Sequence, residues 1–125
     1  MVVTRSNSDY SGTVDRLVEA IERRSLTVFA RFDHAGAARE VGMELADEQV
    51  VVFGDPRAGT PLMQSDPRIG IEIPLRVLIW RAHEGVLLGH IDPRAFGARY
   101  DVAEHGGILE RMANLLSDLV AEAAR

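Results

Sequence analysis

The feature that most restricts the possible folds is a long amphipathic helix predicted from Glu104 to Ala124. At 1.5 Å per residue this helix would be about 30 Å long, the width of a small domain. Its apolar side is formed by Ile108, Leu109, Met112, Leu115, Leu116, Leu119, Val120 and Ala123. A stripe this broad indicates packing against another apolar surface, because a helix cannot bury its own apolar side. The rest of the chain is expected to supply that surface.

Most of the remaining apolar segments have the pattern of strands. The predicted strands are Val2–Thr4, Leu26–Phe32, Val50–Phe53, Pro74–Arg81 and Gly85–Ile91, the last two forming a hairpin. In the hairpin, Val77 and Ile79 share one face, whereas Leu78 and Trp80 share the other. Helical spacing predicts a helix after Ser11 or Gly12 that ends near Arg24, and a short helix over Ala35–Met43 capped by Asp33 or His34.

This order of elements favours an α+β fold of one domain, residues 1–125. Hairpin-linked strands with helices before and after them predict a two-layer sandwich, in which a mostly antiparallel sheet has one face covered by two long helices. A chain of 125 residues suits a single domain. The uncovered face is expected to be partly hydrated or to meet a second subunit. Trp80 and the aliphatic residues near it would make that face apolar enough for a homodimer.

Composition excludes several classes of function. The chain has no cysteine and no lysine, so thiolate, iron–sulfur and Schiff-base lysine chemistry are excluded. A formal charge of −5 argues against nucleic acid as a partner. No apolar run approaches the about 20 residues that span a bilayer, and the first residues do not have the pattern of a signal peptide. We therefore expect a cytoplasmic protein with no membrane partner and no cofactor.

The segment from Gly54 to Met63 is the main candidate for a binding site. It follows the strand Val50–Phe53 and contains two glycines and two prolines, which indicates a rigid loop at a strand end. A helical turn is expected to begin at Thr60 or Pro61 and to continue through Gln64. Backbone N–H groups freed by Gly54 and Gly59, together with Arg57 and Thr60, could hold an anion or a carboxylate. The alternative is a tight turn that packs Leu62 and Met63 into the core, and it is the favoured interpretation.

The histidines and the acidic residues before proline give weaker signals. His34 follows Asp33 at a strand-to-helix junction, so it is either an acid–base residue or part of a helix cap. His90 and Asp92 have the spacing of a metal-ligand pair, but no third ligand is evident. Asp55, Asp66 and Asp92 each precede a proline, which is typical of residues that shape turns.

At this point the sequence resembles a known family. The Asp33-His34-Ala35 junction, the run from Val50 to Trp80 with its GDPxxGTPLM pattern, the Ile91-Asp92-Pro93 segment and the closing helix resemble the bacterial family called domain of unknown function 302. The resemblance extends from about Ser11 to Ala123. It implies a small α+β domain with a saddle-like antiparallel sheet, similar in outline to one repeat of the TATA-binding protein, and homodimeric members. It implies no activity.

Three functional hypotheses follow. The first is a homodimeric module that binds a small anionic or amphipathic ligand; its site residues would be His34, Gly54, Asp55, Arg57, Gly59, Thr60, Met63 and Trp80. The second is an enzyme in which His34 acts as a general base near Asp55. The third is a protein–protein interaction domain that uses the uncovered sheet face. No metal site is predicted.

Overall fold

A computed structural model describes all 125 residues and contains one five-stranded antiparallel sheet. The strands are β1 (Val2–Arg5), β2 (Thr27–Asp33), β3 (Glu48–Gly54), β4 (Leu75–Ala82) and β5 (Gly85–His90). Their order across the sheet is β1-β5-β4-β3-β2, so the hairpin lies in the middle and β1 and β2 form the two edges. The α+β class and the predicted hairpin are confirmed.

Four α-helices complete the fold: α1 (Tyr10–Arg23), α2 (His34–Glu40), α3 (Pro56–Ser65) and α4 (Gly106–Ala123). The two long helices, α1 and α4, pack against each other and against one face of the sheet. Leu17 and Ile21 of α1 and Leu116 and Leu119 of α4 are buried completely or almost completely. The apolar stripe of the C-terminal helix is therefore a packing surface, as its width indicated.

The two faces of the sheet have different surroundings. The side chains that point to the helices are buried in the core; they include Val51, Phe53, Val77, Ile79 and Leu88. Alternation places Val50, Val52, Leu78 and Trp80 on the opposite face, where they are only half-buried. No long helix covers this second face, which we call the open face.

One local prediction is right only in part: the expected helical turn from Thr60 or Pro61 through Gln64 is present, but helix α3 already begins at Pro56, inside the predicted loop, and ends at Ser65. Asp55 caps this helix, and Pro56 occupies its first turn, where a missing N–H costs nothing. Gly59 and Pro61 disfavour a helix, but Leu62 is fully buried, so packing outweighs their low propensity. The glycines with positive φ are Gly42 and Gly85, so neither Gly54 nor Gly59 adopts the left-handed backbone that a nest of N–H groups favours.

Helix α1 also begins earlier than predicted, at Tyr10. The carboxylate of Asp9 accepts the backbone N–H of Gly12 at 2.7 Å, which makes Asp9 the N-cap. Asp33 caps α2 in the same way, through the N–H of Gly36 at 2.9 Å, as one of the two predicted alternatives required.

Candidate functional site

Three Asp-Pro-Arg segments share one local structure. In each, the aspartate is an N-cap, the proline lies in the first turn, and the arginine side chain folds back onto the aspartate. Residues 55–57 form the start of α3, and residues 66–68 and 92–94 each form the start of a short 3₁₀ helix. Each carboxylate accepts the backbone N–H of its arginine at 2.9–3.1 Å and the guanidinium at 2.8–2.9 Å. The aspartates thus shape helix starts and do not converge on one site.

Arg57 is engaged by Asp55 and is not a free anion-binding group. Its Nη2 lies 2.9 Å from Oδ2 of Asp55, and its side chain is 86% exposed. Hydrogen bonds from Arg57 hold the pKa of Asp55 below its ordinary value, while the carboxylate raises the pKa of Arg57. The pair is a local clamp at the start of α3, with its two charges matched.

A mostly apolar cavity lies beside the start of α3, at the end of the sheet. Its volume is about 190 Å³. Apolar side chains from β2, β4, α3, α4 and the segment before β4 dominate its wall: Leu26, Phe29, Ala58, Met63, Ile73, Pro74, Leu75, Met112 and Leu115. We call it the end cavity. Met63 and Met112 lie at two of its sides, and flexible methionines let a wall adapt to different shapes.

Five of the residues proposed from the sequence line the end cavity: Gly54, Asp55, Gly59, Thr60 and Met63. Arg57, His34 and Trp80 do not line it. Gly59 allows the wall to approach closely, since a β-carbon there would lie 3.2 Å from Cδ1 of Ile73. Sequence reasoning missed the wall residues from α4 and from β2, because they come from distant segments that only the fold brings together.

Phe29 is the one cavity residue not predicted from the sequence whose position is marked by an irregularity in the sequence pattern. It lies where the register of β2 against β3 shifts, so it is an extra residue in its strand. The residue is 47% exposed, and it lines the end cavity. The sequence alternates through Leu26, Val28 and Ala30, and an aromatic residue between them breaks that alternation.

His34 lies on the other side of the sheet. It is the first residue of α2 and borders a hollow of about 260 Å³ in the open face. Val50, Arg76, Leu78 and Gly89 also line this hollow. His34 and Asp55 therefore border different depressions, so the paired role proposed from the sequence has no common cavity.

Trp80 packs on the open face over Gly89. A β-carbon at position 89 would lie only 3.1 Å from Cζ3 of Trp80, so glycine is what lets the indole lie close to β5. Trp80 is thus part of the same apolar surface as Leu78 and Val50, not of the end cavity. No group of three or more His, Asp or Glu side chains is arranged to hold a metal ion.

Comparison with known proteins identifies the family. Residues 2–122 match the family described as Domain of unknown function DUF302. A crystal structure of an uncharacterized conserved DUF302 protein from Bacillus stearothermophilus superposes with a TM-score of 0.86, covering 99% of this chain and 97% of that one at 13% identity. The chain belongs to the DUF302 family.

Curated relatives of this chain carry a functional name. Fluoride-specific ion channel FluC 1 of Brucella suis and FluC 1 of Brucella abortus are each 32% identical to this chain over 103 residues, or 82% of its length. The match covers 41% and 38% of those proteins, so the chain spans about two fifths of their length. No helix of this chain has the combined length and apolarity needed to cross a membrane.

Proposed function

We propose that this DUF302 protein is a small-ligand-binding module that takes the apolar part of an amphipathic molecule into the end cavity. The observation that carries the proposal is the cavity itself, a space of about 190 Å³ with a predominantly apolar wall. Ligand sites are typically concave and mostly apolar, with a few polar groups that orient the ligand. An apolar cavity of about 150 Å³ is large enough to bind benzene. The end cavity therefore suits one aromatic ring or a short alkyl chain.

The polar groups at the end cavity favour an amphipathic ligand over a strongly anionic one. Asp55 and Thr60 are among the few polar residues that line it. Arg57, the cation nearest in sequence, is held by Asp55 and does not line the cavity. No unpaired positive charge is thus available there, and binding depends mainly on the burial of apolar surface.

Thermal shift with three eight-carbon probes tests this function. Octanol, octylamine and octanoate share one alkyl chain and differ in charge. At a ligand concentration of about 100 Kd, binding adds about 2.7 kcal/mol to the free energy of unfolding and raises the Tm. We expect octanol and octylamine to raise the Tm more than octanoate does.

A matched pair of variants on α4 locates the binding. Leu115 lines the end cavity and Ile108 does not, although both are half-buried residues packed on the core. Leu115→Trp is expected to abolish the thermal shift by filling the cavity, whereas Ile108→Trp preserves it. Equal shifts in both variants, or no shift with any probe in the natural chain, would contradict the proposed function.

We also propose that the open face joins two copies of this chain in a homodimer. Its centre is apolar, formed by Val50, Leu78 and Trp80, and Phe32 at its edge is 54% exposed. Large exposed apolar surfaces of this kind usually mark an interaction site. The open face carries opposite charges at its two ends. Glu48 lies opposite Trp80 in the strand register, which places it at one end of this face, and Arg76 lies opposite Val52, which places it at the other end. A two-fold axis through the centre would bring each Arg76 towards the partner's Glu48.

A further inference from the structure

A third cavity, distinct from the end cavity and from the hollow in the open face, lies between the edge strand β1 and helix α4. It is a groove of about 240 Å³. Its lining residues are Val2, Thr4, His90, Asp92, Arg94, Ala113, Ser117, Val120 and Ala121. We call it the β1–α4 groove. Unlike the end cavity, it combines hydroxyl groups, an imidazole and an ion pair with small apolar patches.

The groove exists because α4 presents small side chains towards β1. Ala113, Ser117 and Ala121 are spaced by four residues, so they lie along one side of the helix. Larger residues at these positions would fill the space. At one end of α4 the backbone closes the gap, where the N–H of Asn7 donates to the carbonyl of Ala124 at 2.8 Å.

His90 supplies a buried hydrogen-bond acceptor in this groove. It is 7% exposed and ends β5 on the helix side, the side of Leu88. Its Nδ1 lies 3.1 Å from the carbonyl oxygen of Ile91. Because a carbonyl oxygen only accepts, Nδ1 carries the proton, and Nε2 of the neutral ring is left with a lone pair. Nε2 makes no hydrogen bond within the chain, and His90 is one of the residues that line the groove.

The charged groups of the groove are matched to each other. Arg94 Nη2 lies 2.8 Å from Oδ2 of Asp92, and Nη1 lies 3.6 Å from Oε1 of Glu110. These contacts leave no isolated charge to attract an ion. The remaining polar groups are the Thr4 and Ser117 hydroxyls, which both donate and accept, and His90 Nε2, which accepts.

We infer that the β1–α4 groove is a second binding site, for a small neutral polyhydroxylated molecule. A hydroxyl of the ligand donates to His90 Nε2, and neighbouring hydroxyls exchange hydrogen bonds with Thr4 and Ser117. The C–H surface of the ligand packs on Val2, Val120 and the alanines of α4. The inference is independent of the function proposed for the end cavity.

Amide chemical shifts of the ¹⁵N-labelled full chain test this inference. Glucose is the neutral hydroxylated probe, and sodium fluoride and sodium acetate are the ionic comparators. Glucose is expected to shift the amides of Thr4, His90 and Ser117 in a saturable way, and the two salts are expected not to. Saturable shifts at these amides with fluoride or acetate but not with glucose would overturn the assignment, as would no saturable shift with any probe.

A matched pair of exposed α4 positions separates binding from stability. Ser117→Leu fills the groove and is expected to abolish the glucose-induced shifts, while Asn114→Leu adds the same side chain outside the groove and preserves them. His90→Leu, which removes the acceptor, is expected to weaken glucose binding about tenfold. Glucose binding that is unchanged in Ser117→Leu would overturn the inference even if His90→Leu failed to fold.

Discussion

Replacing Asp66 by alanine is expected to lower the Tm by roughly 10 °C, the scale for losing a helix cap together with a buried charge-assisted hydrogen bond. Asp66 is only 5% exposed, and its carboxylate accepts the N–H of Arg68 at 3.1 Å and the N–H of Asp101 at 2.9 Å. It also binds the guanidinium of Arg68. Alanine would leave these donors without an acceptor. Thermal unfolding followed by circular dichroism measures the change.

The other two Asp-Pro-Arg segments provide matched controls. Asp55 and Asp92 cap their helices in the same way, but their side chains are 26% and 32% exposed and bind no distant backbone N–H. Asp55→Ala and Asp92→Ala are therefore expected to lower the Tm by only a few degrees, because water replaces the lost partner. Equal losses in all three variants would show that burial and the contact with Asp101 contribute nothing.

The lowered pKa of Asp66 also predicts how the free energy of unfolding changes in acid. Hydrogen bonds from Arg68, and then from Asp101, hold the pKa of this carboxyl far below its ordinary value of 3.8. A depressed pKa in the folded state means that Asp66 contributes its full stability above pH 3.8 and loses it as the pH falls below that value. Asp66→Asn removes this contribution, so the natural chain and the variant should converge in the free energy of unfolding below pH 3.8. A constant difference down to pH 2 would contradict the assignment.

A negative charge at the centre of the open face is expected to convert the proposed homodimer to a monomer. Leu78 lies on β4, the middle strand of the sheet, and is only half-buried in the single chain. In an isologous dimer Leu78→Asp places two carboxylates near the two-fold axis, where repulsion and desolvation oppose association. Light scattering after size exclusion should give twice 13.7 kDa for the natural chain and 13.7 kDa for the variant.

Two further variants make this experiment specific. Asn114→Asp adds the same charge at an exposed residue of α4, which packs on the other face of the sheet, and it should leave the proposed dimer intact. The Leu78→Lys variant should also be a monomer when it is measured by itself. Mixing the Leu78→Lys and Leu78→Asp variants should restore a dimer, because the two introduced charges are opposite. A natural chain of 13.7 kDa, or no dimer in the mixture, would exclude the open face as the interface.

The sequence predicted those parts of the fold that local patterns encode. Residues 74–91 alternate around a tight turn, and the C-terminal helix repeats its apolar residues at helical spacing, so both elements were identified with nearly correct limits. The family resemblance was likewise carried by local motifs and is confirmed over residues 2–122. Only the second half of helix α3 was predicted, because Gly59 and Pro61 argue locally against a longer helix that packing of Leu62 stabilises.

The candidate sites divide in the same way. The segment after β3 was recognisable from its sequence, and five of its residues do line a cavity. The sequence did not indicate that Arg57 would fold back onto Asp55, nor that His34 would border the open face. Trp80 was assigned both to the uncovered face and to the binding site; it lies on the open face and does not line the end cavity.

By itself, then, the sequence determined the order and type of the elements and the face that each one buries, because these follow from the spacing of apolar residues along the chain. Only the tertiary structure decided which groups meet. The end cavity joins Phe29, Met63 and Met112, and the β1–α4 groove joins Thr4, His90 and Ser117. Such contacts depend on how distant elements pack, and no local pattern records that packing.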